Sequence, residues 1–487
     1  MKLIFIALTL TQLLATCVPP YDRPNAELPP VYRDQSTPPP SPASIGDLGW
    51  WQFFKDPVLQ RLLRTAVAAN FDTLIAAQRI QEAEANLTIV SSNRYPQINA
   101  VLNAQYNRTN GQVPITSPRS TFAPNGLLTL QYEVDLFGKV RSATAAARAE
   151  VLESQFAREA IQTALVSSVA SLYFQLCELD EELRITRATL SARRQSLALV
   201  QARLQGGIGT LQDVRQAQQL VAQAAGYIPQ IQLAMAQAEN AISILIGAYP
   251  QRIARGLPLG QQVAMPAMPA AGVPSALLER RPDIREAEQQ LIAANAQIGV
   301  ARALLYPQFT IGVAAGAGST QVGGVGIASL LGRASTWYGQ GFIQIVPQIV
   351  QQIFNAGAAH ANVGLSQAEK QAALLQYVQS IHQGFGDVSN ALIAYDEDRA
   401  YTVDEAANAA AAVDATRLAN LRYQGGITSY LEVLVSDTQS YGAQIGLVQA
   451  RLNERLALVQ LYKALGGGWQ AEPNTQRAGS NATLRSE

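Results

Sequence analysis

Histidine, cysteine and methionine are scarce in this 487-residue chain, which holds two, two and four of them. A zinc or copper centre needs clustered imidazole or sulfur ligands, and His360 and His382 lie on a predicted helix without a cysteine cluster or an HExxH spacing. Cys17 and Cys177 lie in dissimilar surroundings, so no disulfide framework follows; Cys177, in "YFQLCELDEEL", reads as a buried structural thiol. Net charge is also lacking, since 36 bases balance 36 acids with no basic block, which excludes a nucleic-acid partner. No GxSxG or paired-carboxylate pattern is present, and "GVAAGAGSTQVGGVGIAS" (312–329) satisfies neither GxGxxG nor a P-loop. An enzyme and a bound cofactor are therefore not expected. Beyond the N-terminus no run of about 18 apolar residues occurs, so any membrane-crossing part must be β-structure.

The N-terminal "MKLIFIALTLTQLLATC" is present for a reason: Lys2, an apolar run and a small-residue site read as a secretory signal peptide over residues 1–16. Its end, "LLATC", resembles a bacterial lipobox, in which Cys17 would be lipidated and start the mature chain. Thr16 stands where Gly, Ala or Ser is usual, and ordinary cleavage with an unmodified thiol is the other reading. Residues 17–49 are proline-rich and read as an extended tether. Two larger blocks follow, 50–250 and 275–470, separated by a Pro/Gly-rich linker at 251–274. The polar residues 471–487 read as a disordered tail.

The two blocks are copies. "YPQ" at Tyr95–Gln97 recurs at Tyr306–Gln308, "DLFGKVRSA" at 135–143 matches "QIFNAGAAH" at 352–360, and "QGG" at 205–207 recurs at 424–426. The offset drifts from about 211 to about 219 residues, as in an old duplication with small loop insertions. Each copy reads helix, strand, strand, long helix, QGG, helix. Period-two alternation predicts strands at about 97–107, 127–135, 308–318 and 337–347, apolar on one face and amide-rich on the other. That pattern suits lipid and lumen faces of a membrane barrel, but four strands cannot close one, because the smallest have eight. The long helices, 139–205 and 358–424, lack proline, and the first lacks glycine as well. At 1.5 Å per residue each would run about 100 Å, a length suited to coiled-coil packing. The helices after each QGG would return antiparallel, with Pro229 expected to kink or interrupt the first.

"LLERRPDIREAEQQLIAANAQIGVARALLYPQFT" (277–310) and "YQGGITSYLEVLVSDTQSYGAQIGLVQARLNERLALVQLYKALGGGW" (423–469) resemble the signatures of bacterial outer-membrane efflux proteins, the TolC-like exit ducts, in their lipoprotein branch. The resemblance covers about Trp50 to Trp469. It implies a mainly α fold with membrane β: a homotrimer whose 12-stranded barrel, four strands per chain, continues into a long periplasmic α-helical barrel. It also implies an outer-membrane location, a periplasmic adaptor and an inner-membrane pump as partners, and small-molecule export. Gly206, Gly207, Gly425 and Gly426 match hairpin turns where the adaptor docks, although a bare helix C-cap would use a glycine too. Asp213, Glu432 and Tyr423 match positions of the periplasmic gate. Val435 and Thr428 depart from the second acid and the arginine that some members carry, and first-turn acids also complement a helix N-terminus. A type I secretion duct and an exported coiled-coil structural protein without a pore remain as alternatives. Substrate identity is not legible.

Overall fold

The computed structural model describes residues 20–25, 27–29, 32–33, 44–108, 120–263, 271–272, 274–318 and 341–472; Cys17, the signal segment, Trp337, the glycine-rich run beyond Gly318 and nearly all of the polar tail lie outside them. Two compact units result, and both copies of the duplication contribute to each. The seven main helices are α1 (Pro57–Ala69), α2 (Phe71–Ser92), α3 (Lys139–Gln205), α4 (Leu211–Leu245), α5 (Pro282–Ala303), α6 (Ala358–Gln424) and α7 (Tyr430–Ala464). The copies match in length: 22 residues for α2 and α5, 67 for α3 and α6, and 35 for α4 and α7. The drift in offset therefore lies in the loops. One source of it is Asn355–Ala356, inserted between Phe354 and α6, where Phe137 is followed directly by Gly138 and α3.

One unit draws on Ile80–Glu153 and Ala287–Gln376. It carries a four-stranded antiparallel sheet in the order β1 (Gln97–Arg108), β2 (Ser120–Val134), β3 (Gln308–Gly318) and β4 (Gly341–Val350). β2 begins earlier than its alternation implies, because "APNG" reads as a turn, yet Pro124 and Gly126 pair with Ala104 and Leu102. β4 runs three residues past its expected end at 347, and residues 337–340 of that expectation lie outside the described residues. The register places Ile98 opposite Leu130, Leu128 opposite Ala315, and Ala315 opposite Ile343, so apolar side chains share one face across all four strands. That face is uncovered in a single chain: Leu102 is 88% and Ile343 78% exposed. Where β2 hands over to α3, Asp135 accepts from the backbone N–H groups of Val140 and Arg141 at 3.1 and 2.9 Å, and Gly138 takes φ 77°. Phe137 there stacks on Tyr306 with ring centroids 4.7 Å apart and planes 15° apart.

The other unit draws on Asn25–Arg79, Ser154–Glu286 and Tyr377–Glu487. Its core is aromatic: Phe54, Tyr173, Phe174 and Tyr462 are fully buried, and Phe53 stacks on Tyr462 at 4.2 Å. One 18-residue window of α3 is apolar enough by composition to cross a membrane, but 56% of it is buried within the fold, so its apolarity serves packing. α4 runs through Pro229 uninterrupted, with Ile231 seated on Leu179 and Leu183 of α3 beyond the proline. Tertiary packing there outweighs the lost helix bond.

The inter-repeat segment is held by side chains rather than free. Arg255 pairs with Asp180 and Glu239, the Gly256 N–H donates to the Tyr173 hydroxyl at 2.8 Å, and Phe54 forms a β-bridge with Val263. Parts of the proline-rich segment are docked as well. Arg23 pairs with Glu288 at 2.9 Å in the sheet-bearing unit, and in the core unit Tyr32 is 2% exposed beside Phe385. Cys177 is buried, and burial with the nearby Asp180 pushes its thiol up to about 12, so it is inert.

Glu178, on α3, is also buried; burial and the carboxylate of Glu182 push it up to about 7. A carboxyl raised in the folded state keeps its proton there while the unfolded chain has lost it, so stability falls as pH rises from about 4.5 through 7. Glu178→Gln removes that penalty. Its thermal midpoint should rise by about 2–4 °C at pH 8 and barely move at pH 5, as read by circular dichroism in detergent.

Candidate functional site

The two QGG turns close the α3–α4 and α6–α7 hairpins in the same way. The N–H groups of Gly206, Gly207 and Ile208 donate to the carbonyls of Ala202, Leu204 and Arg203, and those of Gly425, Gly426 and Ile427 to Leu421, Tyr423 and Arg422, all at 2.9–3.0 Å. This is the Schellman pattern, and it requires a left-handed residue at its second glycine. Gly207 and Gly426 supply it at φ 76° and 73°. Gly206 and Gly425 have no such need, because a Cβ there would meet only ordinary contacts at 3.5 Å or more. The isoleucine that follows each glycine pair would usually pack back onto the helix. Here Ile208 and Ile427 are 76% and 73% exposed, and Leu211 and Leu431 are also uncovered.

The matched acids are placed differently. Asp213 closes a capping box with Thr210: its N–H donates to Thr210 Oγ1 at 3.1 Å, and Thr210 N–H donates to its carboxylate at 3.3 Å. Glu432 reaches back across its own turn instead. Arg422 Nη1 donates to Glu432 Oε1 at 2.7 Å, and the Thr428 hydroxyl donates to Oε2. Thr428, the residue that departs from the family arginine, therefore helps to hold the acid, while the neutralising cation comes from the preceding helix.

Tyr423 is 6% exposed and packs with Val200, Val214, Tyr430 and Val433, which ties the two hairpins together. The Arg203 guanidinium lies over its ring at 4.3 Å. Deeper in the same seam, Arg193 is 3% exposed and donates to Asp437 Oδ2 at 2.7 Å and to the Leu220 carbonyl at 3.1 Å, so one side chain joins α3, α4 and α7. A cavity of about 450 Å³ lies beside this pair, lined by Gln195, Ser196, Asn420, Gln424 and Tyr430 among others. The structure thus brings Tyr423 and Glu432 to one hairpin end, buries the first and pairs the second, and leaves Asp213 capping the other. Sequence reading missed Arg422, Arg193 and Asp437. Arg422 was within reach as an arginine ten residues before the acid, across the turn. Arg193 and Asp437 are 244 residues apart and carry no local pattern.

Long paired helices with glycine turns, joined to a sheet whose apolar face is bare, define an outer-membrane channel protein that closes only in company. The sequence matches the outer membrane efflux protein family over residues 62–248 and 273–467, and the chain belongs to that family. It is 32% identical to the probable outer membrane lipoprotein SilC of Salmonella typhimurium over 96% of this chain and 99% of that protein. It is 35% identical to the solvent efflux pump outer membrane protein SrpC of Pseudomonas putida, over 87% and 88%. Among solved structures it is similar to CusC (TM-score 0.82, 28% identity, 93% of this chain and 99% of that one). It is also similar to the open state of the Neisseria gonorrhoeae MtrE outer membrane channel (TM-score 0.81, 30% identity, 93% and 98%). The fold is TolC-like and the location is the outer membrane; such channels are passive and trimeric, and serve as the outer-membrane components of efflux pumps.

Proposed function

We propose that this chain is the passive exit duct of a tripartite pump that expels small organic toxicants, working with a periplasmic adaptor and an energised inner-membrane transporter. The carrying observation is the pairing of a bare apolar sheet face with hairpin turns that hold Ile208 and Ile427 out to solvent. The first suits lipid and the second suits a protein partner. Relatives named for solvent, toluene and antibiotic efflux support the substrate class. Gly206, Gly207, Gly425 and Gly426 are assigned to the adaptor-docking turns, and Asp213, Glu432 and Tyr423 to the periplasmic gate. Within that gate Tyr423 acts as the packing support and Glu432 as the charge. Cys17 is assigned as the lipidated residue, with residues 17–49 as the anchored tether. Export of a fluorescent organic dye by cells lacking their own duct, restored by this chain together with its pump and adaptor, tests the reading. Failure to restore efflux with all three present overturns it.

In a trimer Glu432 repeats as a ring of three carboxylates, which favours counter-ions. In planar bilayers Glu432→Ala should lose cation selectivity or cation block, and Arg422→Ala should strengthen it, because Arg422 neutralises the carboxylate. Unchanged selectivity in both variants retires the gate assignment.

A further inference from the structure

The cleft of about 450 Å³ beside the Arg193–Asp437 pair stays open because its central residues are short or turned away. Ala192 and Ser196 stand about one turn apart on α3. The Thr416 hydroxyl of α6 is turned onto the carbonyls of Ala412 and Ser436, at 2.9 and 2.8 Å, and does not fill the space between. Cavities of this size, mostly apolar with a few fixed polar groups, are the usual sites of small organic molecules. Here Leu199, Leu220, Val433 and Leu434 supply the apolar wall.

The polar groups of the cleft are only half used. Ser196 Oγ donates to the Tyr430 hydroxyl at 3.3 Å, and the hydrogen of that hydroxyl has no acceptor among the described residues, although Tyr430 is buried. Asn420 Nδ2 donates to the Thr416 carbonyl at 2.8 Å, which leaves Oδ1 open. A donor on α7 and an acceptor on α6 therefore line the same space without partners, and a buried polar group in that state is costly. Charge, by contrast, is already spent. Arg193 and Asp437 pair at 2.7 Å, Arg193 is buried, and no other charged residue among those described lines the cleft.

We infer that this cleft binds a neutral organic molecule with an apolar body and one carboxamide, whose carbonyl accepts from Tyr430 and whose N–H donates to Asn420. A charged molecule is disfavoured, because it would enter beside a neutralised pair and find no counter-charge. The occupant touches α3, α6 and α7 together, so it ties the two hairpins of one chain to each other. It adds to the Arg193–Asp437 bond and the packing of Tyr423, which already join them. Binding favours only the arrangement that makes these contacts, which is the one in which the hairpins lie together. The site goes beyond the duct reading and does not depend on it.

The probe is N-benzylacetamide, titrated into the full chain in detergent and read by calorimetry. It should bind with a dissociation constant of about 1 mM or tighter. Its charged analogues, benzylamine and phenylacetate, should bind at least about tenfold more weakly. Tyr430→Phe keeps the ring and removes the donor, and should weaken the probe about three- to tenfold. Ala192→Leu, at an exposed helix position, fills the cleft and should abolish binding. Hydrogen exchange of amides near 193, 420 and 433 should slow when the probe is added to the parent and stay unchanged in Ala192→Leu. Equal binding of the charged analogues, or undiminished binding to Ala192→Leu, places the probe elsewhere and overturns the site. Binding that leaves exchange on all three helices unchanged overturns the tying of the hairpins. Failure of the chain to restore efflux bears on the duct reading and leaves this titration standing.

Discussion

Asp56→Ala should destabilise the core unit by about 3–5 kcal/mol, the largest effect expected of any single substitution here. Asp56 is fully buried, and its carboxylate accepts from Val58 N–H at 2.7 Å, the Tyr173 hydroxyl at 2.9 Å, and Leu257 N–H and Gln262 Nε2 at 2.8 Å each. It therefore caps α1, ties that helix to α3 and pins the inter-repeat segment. Alanine leaves the Val58 and Leu257 N–H groups and the Tyr173 hydroxyl without this acceptor, and leaves Gln262 Nε2 with the Leu257 carbonyl, in a site closed to water where each lost partner is costly. Burial opposes the ionised form, yet the bonds from Gln262, Val58, Leu257 and Tyr173 prevail and hold its pKa below the ordinary carboxylate value. A carboxylate depressed in the folded state contributes its stability above the unfolded pKa, near 4, and loses it as pH falls through the folded value. Asp56→Ala should thus fall furthest below the parent at neutral pH, with the gap closing in acid. The thermal midpoint as a function of pH checks this; a gap that does not change with pH would show that the carboxylate is not the source. Limited proteolysis should also cut the Ala variant within residues 251–263 and spare the parent.

Arg193→Ala is expected to cost about 3 kcal/mol and to act at the hairpin ends rather than in the aromatic core. It leaves Asp437, only 20% exposed, without its cation, and the Leu220 carbonyl without its donor. Removing one partner of a buried pair is costlier than removing both, so Arg193→Met with Asp437→Leu should recover most of the loss. Hydrogen exchange of amides near 193, 220 and 437 reads the effect locally. Faster exchange in the single variant with recovery in the double is the expected result, and recovery with Asp437→Leu alone would show that desolvation of the acid was the whole effect.

Legibility was uneven, and the unevenness has physical causes. Helix ends were readable because the deciding interactions are local: Gly207 and Gly426 donate to carbonyls three residues back, and Ile208 and Ile427 to carbonyls five residues back, within their own turns. Strand faces were readable because alternation is a property of one segment, although β2 was cut short where Pro124 and Gly126 imitate a turn. Of the two outcomes expected at Pro229, a kink or an interruption, the interruption does not occur, since local propensity yields to packing from another helix. At the hairpin ends the resemblance singled out the acids and Tyr423, but their contacts were not legible. Glu432 is paired by Arg422 and Thr428, Asp213 is engaged in a capping box, and Tyr423 is buried under Arg203.

Sequence alone determined the duplication, the helix and strand identities and the hairpin reversals, because each depends on residues close together in the chain or on self-comparison. Tertiary structure alone decided which charges are neutralised, that the linker is pinned by Asp56 rather than loose, and which strands form the edges of the sheet. Those outcomes depend on groups brought together from as far apart as Asp56 and Gln262, or Arg193 and Asp437, and no local pattern records such a meeting.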